Sequence, residues 1–352
     1  MKPRDYQKFI YGNNVGHDLT PTVANLSATP SMFTPSGSAV ITCNTATPGG
    51  TRTYGAITYN DGDILFYTDG HQIWDSTHAL MLGCPAAPTG LGVGGNLKAQ
   101  CVFVARAPTT LNGAQGLNNE VFWVFTNLPG TGGISVSVVD MSRNGGLGEV
   151  DPAIGHLLES NANGVDDRMT GWCMETLGVE TGVGIISHQA HIATQNWMTW
   201  LLTAAGGGTW GNGPDPAAIP IWSAIGPTYN NPNESSELNS CVKINGDNTK
   251  VATVYQAEVG TGAHPQTSAL LCVYTLDPTT GILTDYNSTV ISIKDYGAVP
   301  AAAGVPPRIK AYDVEWDRVG TSATSYLYVP NFNVLNSKIE INWYIIDAVN
   351  TF

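Results

Sequence analysis

An apolar run that ends on an aliphatic or aromatic residue and is followed at once by Asp recurs along the chain. It occurs at Trp74-Asp75, Val139-Asp140, Leu276-Asp277 and Ile346-Asp347, with Leu202-Thr203 as a degenerate copy in the gap. The spacing is about 68 residues, and a fixed period of that size marks a repeat architecture. A second marker runs in phase. Cys43, Cys101, Cys173 and Cys241 sit in short runs that open successive units, AVITC, AQCVFVA, TGWCMET and LNSCVKI, and KAYDVEW (Lys310 to Trp316) opens the fifth.

Each unit follows one plan. The small-residue run is strand one. Strand two follows a turn: GAITYN with ILFYT, then EVFWVFT, GVGIISHQ, KVATVYQ and SYLYVP. Strand three carries the Asp marker: HQIWD, ISVSVVD, NWMTWLLT, LLCVYTLD and INWYIID. A weaker fourth strand comes from HALMLG, IGHLLE, IPIWSA and ILTDYNSTVISI. Turn chemistry punctuates these runs, as in Asp277-Pro278-Thr279-Thr280-Gly281 and Asn245-Gly246-Asp247. No stretch of about twelve residues shows a helical period.

Repeated four-stranded antiparallel units with small residues on the first strand predict an all-β chain folded as a β-propeller. First strands converge on an axis where room is short. Bulky residues such as Phe122, Trp123, Trp197, Trp200, Trp343 and Tyr344 then fill the wider space between blades. Five markers predict one propeller domain over residues 1–352, with five blades of four strands at about 38–84, 99–160, 169–226, 236–294 and 308–352. The fifth unit lacks a fourth strand of its own. The chain begins with a spare one, Gln7-Lys8-Phe9-Ile10-Tyr11, so residues 6–12 are expected to complete the last blade and hide its edge. Within this plan Asp61-Gly62-Asp63 turns strand one of the first blade into strand two, and Asp69-Gly70 turns strand two into strand three.

Charged residues make up only 12% of the chain, against a usual ~25%. The balance is Gly, Thr, Asn, Ser and Pro, which suits strands, turns and a crowded assembly. The formal charge of −13 with 15 scattered basic residues argues against nucleic acid and against an anionic membrane surface. No apolar run reaches the roughly 20 residues a membrane-spanning helix needs. The N-terminal MKPRDYQKFIYGNNVG has no apolar segment behind its basic residues, so no secretory signal is expected there. None of the six cysteines lies in a Cys-x-x-Cys pair, and small buried apolar side chains are the expectation for them.

FIYGNNVGHDL, GDILFYTDGHQIWD, SVVDMSRNGGLGEV and the IISHQ…WMTWLLTAAG segment together resemble a family of Bacteroidetes propeller proteins associated with gliding motility or type IX secretion. That family writes the same places as a Trp/Tyr-Phe-Gly-Asn-Asn-Ala-Gly start, an Asn-Leu-Leu-Phe-Tyr-Thr-Asp-Gly hairpin and a Val-Asp-Met-x-Leu-Asn-Gly-Gly-Leu-Gly-Asp loop. The resemblance is strongest over residues 9–205. It implies a propeller, and it brings no catalytic residue with it, because the family shares none. The family's signal peptide and C-terminal sorting domain have no counterpart in this sequence.

Residue chemistry supplies weak candidates. Asp61, Asp63 and Asp69 lack the roughly twelve-residue spacing and terminal Glu of an EF-hand loop. His188 and His191 stand three apart at a strand end and would point to opposite faces, so an exposed turn is expected. Asp166-Asp167-Arg168 offers paired acids with a basic partner, and a solvated loop is expected there. Asp313 and Glu315, near Arg308, flank an inner strand and would line a central channel. Gly90 to Gly95 (GLGVGG) is glycine-rich, but no helix pattern follows to bind phosphate. No catalytic, cofactor-binding or metal residue is assigned, and no cofactor is expected.

The functional expectation is a non-catalytic structural and recognition protein of a bacteriophage virion, in its tail, fibre or surface. Its partners would be other virion proteins, and it would stand as a symmetric homo-oligomer or part of a larger assembly. The alternatives are a secreted or surface-attached bacterial module binding glycan or protein, and a propeller glycosidase or lyase. Recognition is expected in the loops at 84–98, 106–119, 159–168, 204–219, 226–235 and 256–267.

Overall fold

The structure, a computed structural model, describes residues 8–11, 15–18, 31–33, 55–58, 64–68, 70, 72–85, 102–108, 121–128, 133–151, 156–159, 165–176, 179–189, 196–207, 213–214, 218–226, 241–256, 269–291, 309–311, 314–316, 324–333 and 338–347. Apart from the short 3-10 turn Asn144–Gly146, the regular elements among these residues are β-strands.

The first sheet is β1 (Lys8–Tyr11), β2 (Val15–Asp18) and β3 (Ser31–Phe33), in that order. The second is β4 (Gly55–Thr58), β5 (Ile64–Thr68) and β6 (Ile73–Asp75). Next come β7 (Val102–Arg106), β8 (Val121–Leu128) and β9 (Gly133–Asp140), with β10 (Glu149–Val150) and β11 (His156–Glu159) both on the outer edge of β9. The fourth sheet is β12 (Val165–Thr176), β13 (Val179–Gln189), β14 (Asn196–Leu202) and, after the small ribbon of β15 (Ala204–Gly207) and β16 (Gly213–Pro214), β17 (Ile221–Ala224). A fifth is β18 (Val242–Ile244), β19 (Lys250–Gln256), β20 (Ala269–Leu276) and β21 (Leu283–Ile291). In the last, β22 (Ile309–Ala311) and β23 (Glu315–Trp316) share one edge of β24 (Thr324–Asn333), and β25 (Lys338–Asp347) takes the other.

The chain is thus all-β, a series of antiparallel sheets met in sequence order, with full four-stranded examples in β12-β13-β14-β17 and β18-β19-β20-β21. The predicted second and third strands fall on β5 and β6, β8 and β9, β13 and β14, β19 and β20, and β24 and β25. Of the fourth strands, IPIWSA and ILTDYNSTVISI supply β17 and β21, and the first two diverge. HALMLG forms isolated bridges, Trp74 to Leu80 and Leu82 to Glu149, in place of a ladder. The fourth strand of the next unit is split into β10 and β11. Residues 8–11, read from sequence as a spare strand, are the first of three in their own sheet. AVITC, around Cys43, lies outside the described residues, as does most of the proposed recognition loops.

The chain falls into two compact units. One comprises Met1–Val165, Cys173–Gly184 and Leu201–Ile219; the other comprises Asp166–Trp172, Ile185–Trp200 and Pro220–Phe352.

In the first unit a core joins the β4–β6 and β7–β11 sheets through Leu65, Phe66, Ile73 and Met81 against Val104, Phe122, Val139 and Val150. Phe66 meets Phe122 edge-on at 5.3 Å, an arrangement worth roughly 0.5–1.5 kcal/mol beyond its burial. Central strand β9 is buried along its whole length, and its sequence GISVSVVD alternates Ser with branched residues to allow that. Gly83 closes the approach of the two sheets. Its φ is +79°, a Cβ there would run into the Val150 carbonyl oxygen, and Val150 N donates to Leu82 O at 2.8 Å.

In the second unit Cys241, Ala252, Val254, Leu271 and Val273 pack with Val314, Trp316, Leu327, Val329 and Ile346. The Trp316 indole donates to Lys243 O at 3.1 Å, and Val314 N donates to the Cys241 sulfur at 3.0 Å. Cys84 and Cys272 are buried as well, each a free thiol, in keeping with the small apolar role expected of them.

Candidate functional site

The repeat-marking aspartates are turn organisers. Asp75 Oδ1 accepts from Thr77 N at 2.8 Å, Thr77 Oγ1 at 2.6 Å and Ala79 N at 3.2 Å. Asp140 Oδ1 accepts from Ser142 N at 2.9 Å and Ser142 Oγ at 2.5 Å, and its Oδ2 takes Arg143 Nε at 3.3 Å. Asp277 Oδ1 accepts from Thr279 N at 2.9 Å and Thr280 N at 3.3 Å. Donors from Thr280 and Thr279 hold the Asp277 carboxyl below the ordinary carboxylate range. The signal was present in the sequence as Asp-x-Ser/Thr: Asp75-Ser-Thr, Asp140-Met-Ser, Asp277-Pro-Thr. Such side chains mimic a backbone turn and leave the strand cleanly. Held in this way, these carboxylates shape the turn by which the chain leaves strand three.

Asp347 carries the marker without the hydroxyl two residues on. Its charge, with those of Asp247 and Asp285, acts on Lys250, which is buried at the start of β19. Burial lowers the Lys250 ammonium pKa, and the three carboxylates oppose that shift.

Two sequence expectations need correction. Arg168 is not in a solvated loop: β12 begins at Val165, and Arg168 is 1% exposed. His188 is not in an exposed turn, for it lies on β13 and is buried. Both belong to a polar and aromatic cluster in the second unit. Ser187 Oγ donates to Arg168 O at 2.8 Å. The His188 ring stands edge-on to Trp197 at 4.9 Å, Trp197 edge-on to Tyr274 at 5.4 Å, and Tyr274 stacks on Tyr286 at 5.4 Å. Burial raises the Cys272 thiol far above its usual value, against hydrogen bonds from Tyr286 and Tyr274 and the charge of Arg168. The Tyr286 hydroxyl is pushed up to about 12, first by burial and then by Cys272. The cluster is a buried polar and aromatic part of the second unit's core. It left no local signal in the sequence, because its members come from β12, β13, β14, β20 and β21.

Glu315 lies on β23 with its side chain exposed and pairs with Lys243 Nζ at 3.2 Å. Such a surface pair is worth ~0–1 kcal/mol. Asp61, Asp63, Asp69, Gly90 to Gly95, His191, Arg308 and Asp313 lie outside the described residues, as do the side chains of Asp166 and Asp167. Among the described residues no group of three or more His, Cys, Asp or Glu is placed to hold a metal ion, and no helix is long and apolar enough to cross a membrane.

An exposed apolar surface lies on the outer face of β24 and β25. Among the described side chains both strands alternate. Ser325, Leu327, Val329 and Ile346 point into the core, whereas Tyr326, Tyr328, Ile341, Trp343 and Ile345 point out. The register pairs Tyr326 with Ile345, Tyr328 with Trp343 and Pro330 with Ile341, which makes one continuous apolar strip. Trp343 is 62% exposed and Ile341 65%. Trp343 was expected from sequence to be packed between blades. Phe122, Trp123, Trp197 and Trp200, singled out with it, are buried. The strip is exposed apolar surface on one face of the last sheet. Beside it, β25 is paired on one edge only among the described residues.

No family model matches the chain, and no curated protein matches it. Among solved structures it is similar to the WD40 domain of SCAP from fission yeast, with 10% sequence identity over 97% of this chain and 87% of that one. The TM-score of that superposition is 0.32, too slight a likeness to assign anything by itself.

Proposed function

We propose that the chain is a non-catalytic β-propeller that serves as a structural and recognition component of a bacteriophage particle. Its sheets act as five blades, and the N-terminal strand, residues 6–12, completes the last. One observation carries the ring: the final sheet ends in a strand with one edge unpaired among the described residues, beside an apolar strip of Tyr326, Tyr328, Ile341, Trp343 and Ile345. In a closed ring that strip faces the next blade, and the β25 edge receives β1, itself the outermost strand of its sheet. Support for the particle comes from composition. The chain is poor in charge and rich in Gly, Thr and Asn, and Asp75, Asp140, Asp277 and His188 are engaged in turns or core.

Two experiments test the two parts. Deleting residues 1–12 removes the closing strand, and the expected result is a lower melting temperature with dye-binding apolar surface newly exposed. An unchanged melting temperature would overturn the ring. For the particle, mass spectrometry of purified virions is expected to find this chain at fixed stoichiometry. Its absence from virions, with recovery from host envelope fractions, would assign it instead to a surface-binding role. Cleavage of a polysaccharide panel that disappears in Asp166→Ala or Asp313→Ala would replace both by an enzyme.

A further inference from the structure

Two Asn-Gly pairs lie wholly within the described residues, Asn144-Gly145 in the β9–β10 connection and Asn245-Gly246 between β18 and β19. The pairs at 112–113, 163–164 and 212–213 each include a residue outside them. Asn-Gly is the dipeptide most open to attack by a backbone nitrogen on the preceding side-chain amide, since glycine has no Cβ to shield that nitrogen or restrict its approach.

The two pairs are held very differently. Asn245 is buried; its Oδ1 accepts from Thr249 N at 2.9 Å and Lys250 N at 2.8 Å, and its Nδ2 donates to Thr249 Oγ1 at 3.4 Å. Its amide cannot turn toward Gly246 N without giving up these bonds. Asn144 is exposed, and neither its side chain nor the Gly145 N–H makes a hydrogen bond among the described residues. Its φ is +50°, in the left-handed region, and it is followed by Gly145 and Gly146, which also have positive φ. The turn is closed by Gly146 N to Arg143 O at 3.0 Å, Leu147 N to Asn144 O at 3.2 Å and Gly148 N to Arg143 O at 3.2 Å. Asn144 and Gly145 are exposed and Gly146 and Leu147 half-buried, so the first two of these bonds lie where a turn opens locally at small cost, whereas Gly148 is buried.

We propose that Asn144 is a site of spontaneous deamidation and isoaspartate formation, while Asn245 is protected by its own turn. Gly145 N, losing its proton, attacks Asn144 Cγ. The Cγ–Nδ2 bond breaks, the nitrogen leaves as ammonia, and a five-membered succinimide remains. Water then adds at either succinimide carbonyl, giving aspartate or isoaspartate; the sum is amide plus water to acid plus ammonia, with no oxidant or cofactor. The isoaspartate product carries one extra backbone atom into a turn with little slack. Gly148, four residues on, has φ +84°, and a Cβ there would lie 2.6 Å from Met141 Sδ and 3.0 Å from Met81 Cε. Beyond it, Glu149 bridges to Leu82. The modification therefore acts on the stitch between the two sheets of the first unit.

The test is incubation of the folded full-length chain at mildly alkaline pH, followed by digestion and mass spectrometry of the two peptides, with a urea-unfolded sample alongside. In the folded chain the Asn144 peptide is expected to gain the amide-to-acid mass and split into aspartate and isoaspartate forms. Its rate should exceed that of the Asn245 peptide by at least about tenfold, because the locked amide must first break several hydrogen bonds. Both should convert at similar rates in urea. Asn144→Gln should abolish conversion at that peptide and leave Asn245 unaffected. Persistence of intact Asn144 in the folded chain while the unfolded one converts would overturn the proposal, as would equal folded-state rates at the two sites.

Discussion

Tyr328 and Trp343 are direct partners across the β24–β25 ladder, and both face outward, at 41% and 62% exposure. Their inward neighbours Leu327 and Val329 are fully buried. Under ring closure this pair is an interior contact. Trp343→Ala should then destabilise by about 3–5 kcal/mol in urea unfolding, as core aromatic truncations do. A change within about ±0.5 kcal/mol, the range of an ordinary surface substitution, would leave the strip uncovered and the ring unsupported.

Asp140 accepts two hydrogen bonds from Ser142 and one from Arg143. Asp140→Ala should cost roughly 1–3 kcal/mol, the range for losing bonds to a charged acceptor. Ser142→Ala should cost less, since the backbone donor remains. Chemical denaturation of the three proteins checks the ranking, and equal losses for the two variants would contradict it.

The Asp277 carboxyl titrates below its ordinary value when folded, because Thr280 and Thr279 donate to it. As pH falls, the unfolded chain therefore binds this proton first. The stabilisation is full above the unfolded value of about 3.9 and is lost as pH drops through the lower folded value. Asp277→Asn should lower stability at neutral pH by that contribution, match the parent chain near pH 2, and so flatten the acid limb of the stability curve. Urea midpoints measured from about pH 2 to 7 would show it; an acid limb as steep as that of the parent chain would refute the assignment.

Gly83 and Gly146 both have positive φ, yet they differ in surroundings. A Cβ at Gly83 collides with the Val150 carbonyl, whereas one at Gly146 meets nothing within 4 Å. Gly83→Ala should therefore cost more than about 2 kcal/mol and Gly146→Ala only about 1 kcal/mol, the conformational part alone. Thermal unfolding of the pair distinguishes backbone strain from steric conflict.

The repeat was legible because strand three ends on an Asp in four of its five copies and because buried strands keep continuous apolar runs such as ISVSVVD and LLCVYTL. Edges were less legible. HALMLG has the composition of a strand, but Asp75 draws Thr77 and Ala79 into a turn that leaves only single bridges beyond it. Arg168 and His188 were misread for a related reason. A charged or imidazole side chain in a polar-looking run reads as solvated, and its burial is decided by Trp197 and Tyr274, which lie far along the chain. The Asp-x-Ser/Thr pattern lies in the letters themselves, where each aspartate marks a repeat and also caps the turn that follows it.

The Trp172 indole donates to Pro278 O at 3.3 Å, and the Trp316 indole reaches Lys243 O in the same manner. In each case a chromophore on an edge strand is tethered to the backbone of the adjoining sheet. Intrinsic fluorescence of this protein consequently registers the parting of neighbours more than the fraying of a single ladder. A probe of strand content such as far-ultraviolet dichroism need not keep step with it, and any gap between the two signals would measure how tightly adjacent modules are yoked.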